Sequence, residues 1–177
     1  MVKWNIDGSH TSVGFEVKHM MVSKVRGRFG EFTGTIDGDP ADLANCTITF
    51  DIDVSSIDTS NEDRDNHLRS PDFFEVDKYP KINFASKKIV QTAEDEFDII
   101  GDITMKGVTK EITFAAEFEG KAVDPWGQEV AGFAVRGALN RKDFGLTWNQ
   151  ALEAGGVLVG DKIKISIDVE ANPAKEA

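Results

Sequence analysis

What this chain has little of narrows its chemistry. It has one cysteine in 177 residues, Cys46, so no disulfide can form within it. Its three histidines, His10, His19 and His67, show no ligand spacing with one another or with Cys46, so the residues predict neither a metal nor a cofactor. One tyrosine and three tryptophans stand beside 12 phenylalanines, so the interior is aromatic but nearly free of hydroxyls. Cations are scarce: 20 Lys and Arg against 31 Asp and Glu leave a net charge of −11. That excludes a general nucleic-acid binder, which needs basic surface to displace counterions. It also argues against adhesion to anionic membranes and against stable membrane insertion. No apolar run approaches the length of a membrane span. The opening, Met1 to Asp7, lacks the apolar core of a signal peptide, and a cytoplasmic home is the expectation.

What is present is alternation. Val13, Phe15, Val17 and His19 share one parity, with Gly14, Glu16 and Lys18 on the other. The same period recurs in Cys46-Ile48-Phe50-Ile52, in Phe97-Ile99 with Ile103-Met105, in Ile112-Phe114-Ala116-Phe118 and in Ile163-Ile165-Ile167-Val169. Side chains alternate faces with period two along a strand, so each run reads as a half-buried strand. Cys46 sits on the apolar parity and reads as a small hydrophobe rather than a reactive thiol.

About eight strands follow from alternation and turn signals. The first runs from Lys3 to His19 and breaks near Gly8. The second runs from Ser23 to Asp37, where the apolar parity switches from Val25 and Phe29 to Phe32 and Ile36, so a bulge is placed near Gly30. The others cover 45–54, 81–90, 96–105, 110–119, 130–139 and 157–170. Lys106-Gly107 and Asp124-Pro125-Trp126-Gly127 have turn chemistry, and Gly155-Gly156 marks a bend before the last strand. The segment from Ser55 to Pro80 is not strand-like. Ser60 is expected to cap a short helix there, and Ser70-Pro71 to begin a second turn. The pattern predicts an all-β fold: one domain over 1–171, an eight-stranded antiparallel up-and-down barrel with a helical insert between strands 3 and 4, then a flexible tail over 172–177.

Several polar residues invite a functional reading beside a structural one. His19 ends the inward face of the first strand, as a head-group anchor or a hydrogen-bonded structural histidine. Arg64, Asp65 and His67 offer an orientable base, but Ser55, Ser56 and Ser70 lack a nucleophile's context, and a capping cluster that pins the insert is the simpler account. Lys18, Lys24, Arg26 and Arg28 lie in a stretch without acids. Of these, Lys24, Arg26 and Arg28 share one outward parity and suit either a pyrophosphate or phospholipid surface beside Met20-Met21-Val22 or cross-strand pairing with Asp51 and Asp53. Arg141, inward at the end of the seventh strand, suits an anionic head group, Asp143 or a loop carbonyl.

The chain also resembles YceI-like proteins. The likeness lies in Trp4-Asn5-Ile6-Asp7 with Ser9-His10-Thr11-Ser12-Val13-Gly14-Phe15, and in the stretch from Val17 to Gly27. It continues in Ser56-Ile57-Asp58-Thr59 followed by Arg64-Asp65-Asn66-His67-Leu68 and Asp72-Phe73-Phe74. Gly101-Asp102-Ile103-Thr104, Lys106-Gly107-Val108-Thr109, Asn140 to Leu146 and Gly155-Gly156-Val157 complete it in order. The resemblance implies a lipocalin-like barrel with an elongated apolar cavity. It implies a long-chain guest: a polyisoprenoid, an isoprenoid quinone, a prenyl pyrophosphate or a fatty-acid derivative.

The expectation is therefore a non-enzymatic lipid-binding barrel that carries or sequesters such a guest, under envelope stress. Parity puts Phe15, Val17, Phe32, Phe50, Phe84, Ile99, Phe114, Phe133 and Ile165 on the lining. Phe73, Phe74 and Phe144 fall at the mouth, with His19 and Arg141 as polar contacts. An enzyme with His19 or His67 as base, or a barrel filled by its own phenylalanines, are the alternatives, and homodimerisation stays open.

Overall fold

The computed structural model describes residues 3–20, 22–149 and 158–174. The strands are β1 (Lys3–Ile6), β2 (Ser12–His19), β3 (Ser23–Phe29), β4 (Phe32–Asp37), β5 (Thr47–Asp53) and β6 (Ile57–Asp58). Helix α1 (Glu62–Arg69) follows, then β7 (Lys81–Ala93), β8 (Glu96–Met105), β9 (Val108–Val123), β10 (Glu129–Asn140) and β11 (Val159–Pro173). All pair antiparallel in one sheet.

β1 and β2 are two halves of one barrel strand. Both lie on β11, β1 against its end at Ala171–Pro173 and β2 against 159–168. β3 and β4 are likewise two halves of the next strand, parted at Gly30 where the parity switches; β3 pairs with β2 and β4 with β1. With β5, β7, β8, β9, β10 and β11 these make an eight-stranded closed barrel, each strand beside its neighbour in sequence. Closure removes the sheet edges that would otherwise recruit other chains.

The hairpin turns form where their residues allow. Lys106 (φ 51°) and Gly107 (φ 76°) are both left-handed between paired Met105 and Val108, the backbone of a type I′ turn. Gly127 (φ 82°) closes its turn with an N–H donated to the Asp124 carbonyl at 3.0 Å.

Three expectations change. α1 is capped by Asn61, whose side chain accepts from the Arg64 N–H, while Ser60 is left-handed at φ 64° and precedes the cap. Asn172 and Pro173, expected in the tail, continue β11 and pair with Asn5 and Trp4. Several strands run longer than their apolar alternation, because strand pairing continues after one face has become solvated. Gly155, Gly156 and Val157 lie outside the described residues, as does the tail beyond Ala174.

One end of the barrel is plugged. The turn over Pro40–Asn45 folds across it and inserts Leu43 against Trp4, Ile36, Phe97 and Phe133. The other end is covered by the insert and by the segment that follows β10. Phe73, Phe144 and Leu146 meet Val13, Phe29, Ile57 and Met105 there.

Candidate binding cavity

Between these two ends lies a cavity of about 190 Å3. A single water needs only about 10–15 Å3 of such space, so this is room for a guest and not a packing defect. Its walls are hydrocarbon from every part of the barrel; of the described residues that line it, Arg141 alone is polar.

A barrel with so many phenylalanines could have filled itself. Inward-facing glycines prevent this. A Cβ on Gly27 would overlap the Phe15 ring, one on Gly34 the Phe50 ring, one on Gly137 the Phe114 ring, and one on Gly101 would crowd Phe84. Each ring thus lies down over a glycine of the neighbouring strand, against the wall instead of across the lumen, and all four rings face the cavity. Phe84 and Phe114 also meet edge to face at 5.3 Å.

Of the residues that parity put inside, Phe15, Val17, Phe50, Phe84, Ile99, Phe114, Phe133 and Ile165 line the cavity, as do Phe73, Phe74 and Arg141. Three do not. Phe32 faces inward but stacks behind Phe50 at 5.6 Å, so it backs the lining. Phe144, expected at the mouth and not on the lining, is buried in the cover at that end and packs with Leu146 and Phe73. His19 lies one step beyond Val17, paired with Val159 where the lumen ends, so it does not reach the cavity. Parity also missed Leu68 and Leu146, which reach in from the helix and the cover, where no period-two signal exists.

Arg141 is built for a structural task. It is 2% exposed. Its Nε donates to the Gly160 carbonyl at 2.9 Å, and its Nη1 to those of Leu146 at 2.6 Å and Trp148 at 2.9 Å. Nη2 reaches the Val159 carbonyl at 3.4 Å and lies 3.9 Å from Asp161. Burial holds its pKa below the usual value for arginine, and nearby Asp161 opposes that shift. The guanidinium therefore ties the cover to β11 and has little capacity left for a head group. Asn149 adds a second tie, exchanging bonds of 2.7 and 3.0 Å with the Val159 backbone.

The Arg64–Asp65–His67 cluster is the pin that holds the insert. Asp65 is buried and accepts from the Thr59 N–H at 2.9 Å and hydroxyl at 2.5 Å. Arg64 donates to the Thr59 hydroxyl at 2.8 Å and carbonyl at 2.7 Å. His67 pairs with Asp72 at 2.8 Å and meets the rings of Phe73 and Trp148 edge-on at 5.1 and 4.7 Å.

The basic stripe pairs, but not with Asp51 and Asp53. Arg26 and Lys24 share Glu16 at 3.1 and 3.8 Å, and Arg28 meets Asp58 at 3.4 Å. The reason is the break at Gly30: β3 lies between β2 and β6, and of the two halves β4, not β3, pairs with β5.

The fold also assembles a group that the sequence separates. His10 Nδ1 lies 2.9 Å from Asp7 and 3.1 Å from Glu170, 160 residues away. The hydrogen bond that His10 donates to Asp7, with the charge of Glu170, holds the imidazole pKa above its usual value. One ring nitrogen shared by two carboxylates is the geometry of a protonated histidine clamp between β11 and the loop after β1.

Residues 4–171 match the family model described as the YceI-like domain. The chain belongs to the YceI-like family. A UPF0312 protein of Staphylococcus epidermidis is 46% identical over 171 residues, covering 96% of this chain and 97% of the relative. A UPF0312 protein of Staphylococcus aureus is 43% identical over the same span. The crystal structure of the Campylobacter jejuni YceI protein is 37% identical, covers 96% of each chain and superposes with a TM-score of 0.76. Two more distant structures share the fold. BcnA of Burkholderia cenocepacia is 21% identical with a TM-score of 0.81, covering 93% of this chain and 98% of its own. A polyisoprenoid binding domain of Saccharophagus degradans is 14% identical with a TM-score of 0.73, covering 98% and 100%. No helix among the described residues is long and apolar enough to cross a membrane.

Proposed function

We propose that this YceI-like barrel binds one long-chain apolar lipid in its interior, an isoprenoid or acyl chain, and carries or sequesters it. The observation that carries this reading is a hydrocarbon-lined cavity that four glycine-backed phenylalanines leave open. A neighbour of the same fold is named for polyisoprenoid binding, which favours the isoprenoid class. The energetics suit such a guest. Burying about 400 Å2 of apolar chain contributes roughly 10 kcal/mol, against an association cost of about 4–15 kcal/mol, so micromolar binding needs little polar recognition. The reading is of a binding protein without catalysis: Arg141, the polar residue of the lining, is tied to backbone carbonyls, and His67 is engaged by Asp72 and two aromatic rings.

Native mass spectrometry of freshly purified protein tests the proposal. The expected result is an added mass that is lost on organic extraction and restored by an isoprenoid or acyl lipid. A chemically altered lipid after incubation would turn the reading to an enzyme. No retained or restored lipid would mean an interior without a guest.

A further inference from the structure

The outer wall formed by β3, β2 and β11 carries more cations than its own ion pairs engage. Lys24, Arg26 and Arg28 of β3, Lys18 of β2, and Lys162 and Lys164 of β11 are all exposed on it. Against these six cations, in a chain whose net charge is −11, stand Glu16 and, at the far end of β11, Asp168 and Glu170, which pair with Arg136 and His10; Asp58 of β6 faces Arg28. Glu16 faces Arg26 on one side and Lys164 on the other, and Lys24 also leans on it. Lys18 and Lys24 sit directly opposite each other in register. Like charges so placed are destabilising, and Lys24 is offset only by its share of Glu16 at 3.8 Å. Lys18, Lys162 and Lys164 have no ion pair among the described residues.

The wall ends in an apolar tip. Met20 is 45% exposed and Val22 is 88% exposed, in the turn that joins β2 to β3. Met20 is left-handed at φ 52°, and its N–H donates to the Leu158 carbonyl at 2.8 Å. Leu158 precedes Val159, which lines the cavity. Cations, then an apolar tip, then the cavity rim follow one another along a single edge.

We propose that this face docks on an anionic lipid bilayer, with the cations over the head groups and Met20 and Val22 entering the interface. A soluble polyanion would use the cations but would gain nothing from the apolar tip. The net negative charge does not forbid docking, because fields are screened over about 8–10 Å at physiological salt and the local face governs contact. Delivery of an apolar guest through this rim rests on the lipid-binding reading; docking itself does not, and delipidated protein can be used to test it.

The test is sedimentation of delipidated protein with vesicles of phosphatidylcholine alone or with phosphatidylglycerol. Co-sedimentation is expected only with the anionic vesicles, and is expected to weaken as salt is raised. Lys18→Gln with Lys24→Gln should weaken it by about tenfold or more. The same pair should keep or raise the melting temperature, since a like-charge contact is relieved. Val22→Asp should also weaken vesicle binding. Lys88→Gln with Lys110→Gln, the same charge change on another wall, should leave it intact. Absence of anionic-vesicle binding at low salt would overturn the proposal. So would equal losses from the two double variants, or a Lys18/Lys24 variant that binds like the parent. Capture by polyglutamate that Val22→Asp does not affect, without vesicle binding, would replace the bilayer by a soluble polyanion.

Discussion

The thiol of Cys46 is pushed up to about 11, first by burial and then by the carboxylates of Asp42, Asp39 and Asp37. Its sulfur donates to the Asp39 carbonyl at 3.1 Å. Since the thiolate is the nucleophile, alkylation at neutral pH should run roughly two orders of magnitude slower than for a free cysteine; labelling at the free-thiol rate would contradict this environment. Arg141 makes the opposite kind of bet, a buried charge held by carbonyls. Arg141→Met should lower stability by about 3 kcal/mol, because several buried acceptors lose their donor. Chemical denaturation reads that loss directly, and a change under about 1 kcal/mol would mean that water re-satisfies the site. His10 gives a pH signature. Its raised pKa means that the clamp is fully present below the ordinary histidine value of about 6.5 and is lost as pH rises through the higher, folded value. Asp7, held low chiefly by its bond to His10, keeps the clamp intact until the pH falls well into the acid range. The parent should therefore melt above His10→Gln at mildly acidic pH, and the two should converge in alkali. A gap that widens with rising pH has the wrong sign.

At the scale of elements, the inward glycines decide whether the barrel is filled or hollow. Gly137→Ala should push the Phe114 ring into the lumen, lower stability by about 1–3 kcal/mol and reduce lipid uptake. Phe114→Ala alone should cost about 3–5 kcal/mol. In the double variant the overlap vanishes, so the two losses should sum to more than the pair costs together. Strict additivity, or uptake unchanged in Gly137→Ala, would mean that this ring does not shape the cavity. These pairs also mark what a sequence can tell. Period two gave the strands, and parity identified Phe15, Phe50 and Phe114 as inward because pleat alone fixes that. Which inward rings meet a guest depends on neighbours across strands, so parity put Phe32 on the lining although it stacks behind Phe50. The break at Gly30 was visible as a change of parity. Its consequence was not, because a local bulge moved β3 away from β5 and replaced Asp51 and Asp53 by Glu16 and Asp58. The His10 clamp, joining residues 160 apart, has no local signature at all.

For the whole molecule, closure links stability to occupancy. The eight-stranded circuit shares one interior, and its wall residues are both the core and the lining. A guest that binds only the closed barrel adds stability as RT ln(1 + [L]/Kd), about 2.7 kcal/mol at a hundredfold excess over Kd. For a chain of this size each kcal/mol moves the melting temperature by roughly 2–4 °C, so loading should raise it by about 5–10 °C over extracted protein. The plug at Leu43 and the cover tied by Arg141 close opposite ends of the same tube. Loosening the cover through Arg141→Met should therefore cut the lipid-induced shift as well as the basal melting temperature. A change at the exposed loop tip Trp126, which touches neither end, should alter neither. If extracted and loaded protein melt together while mass spectrometry finds lipid attached, the lipid sits on the outside, and the interior reading fails even though binding survives.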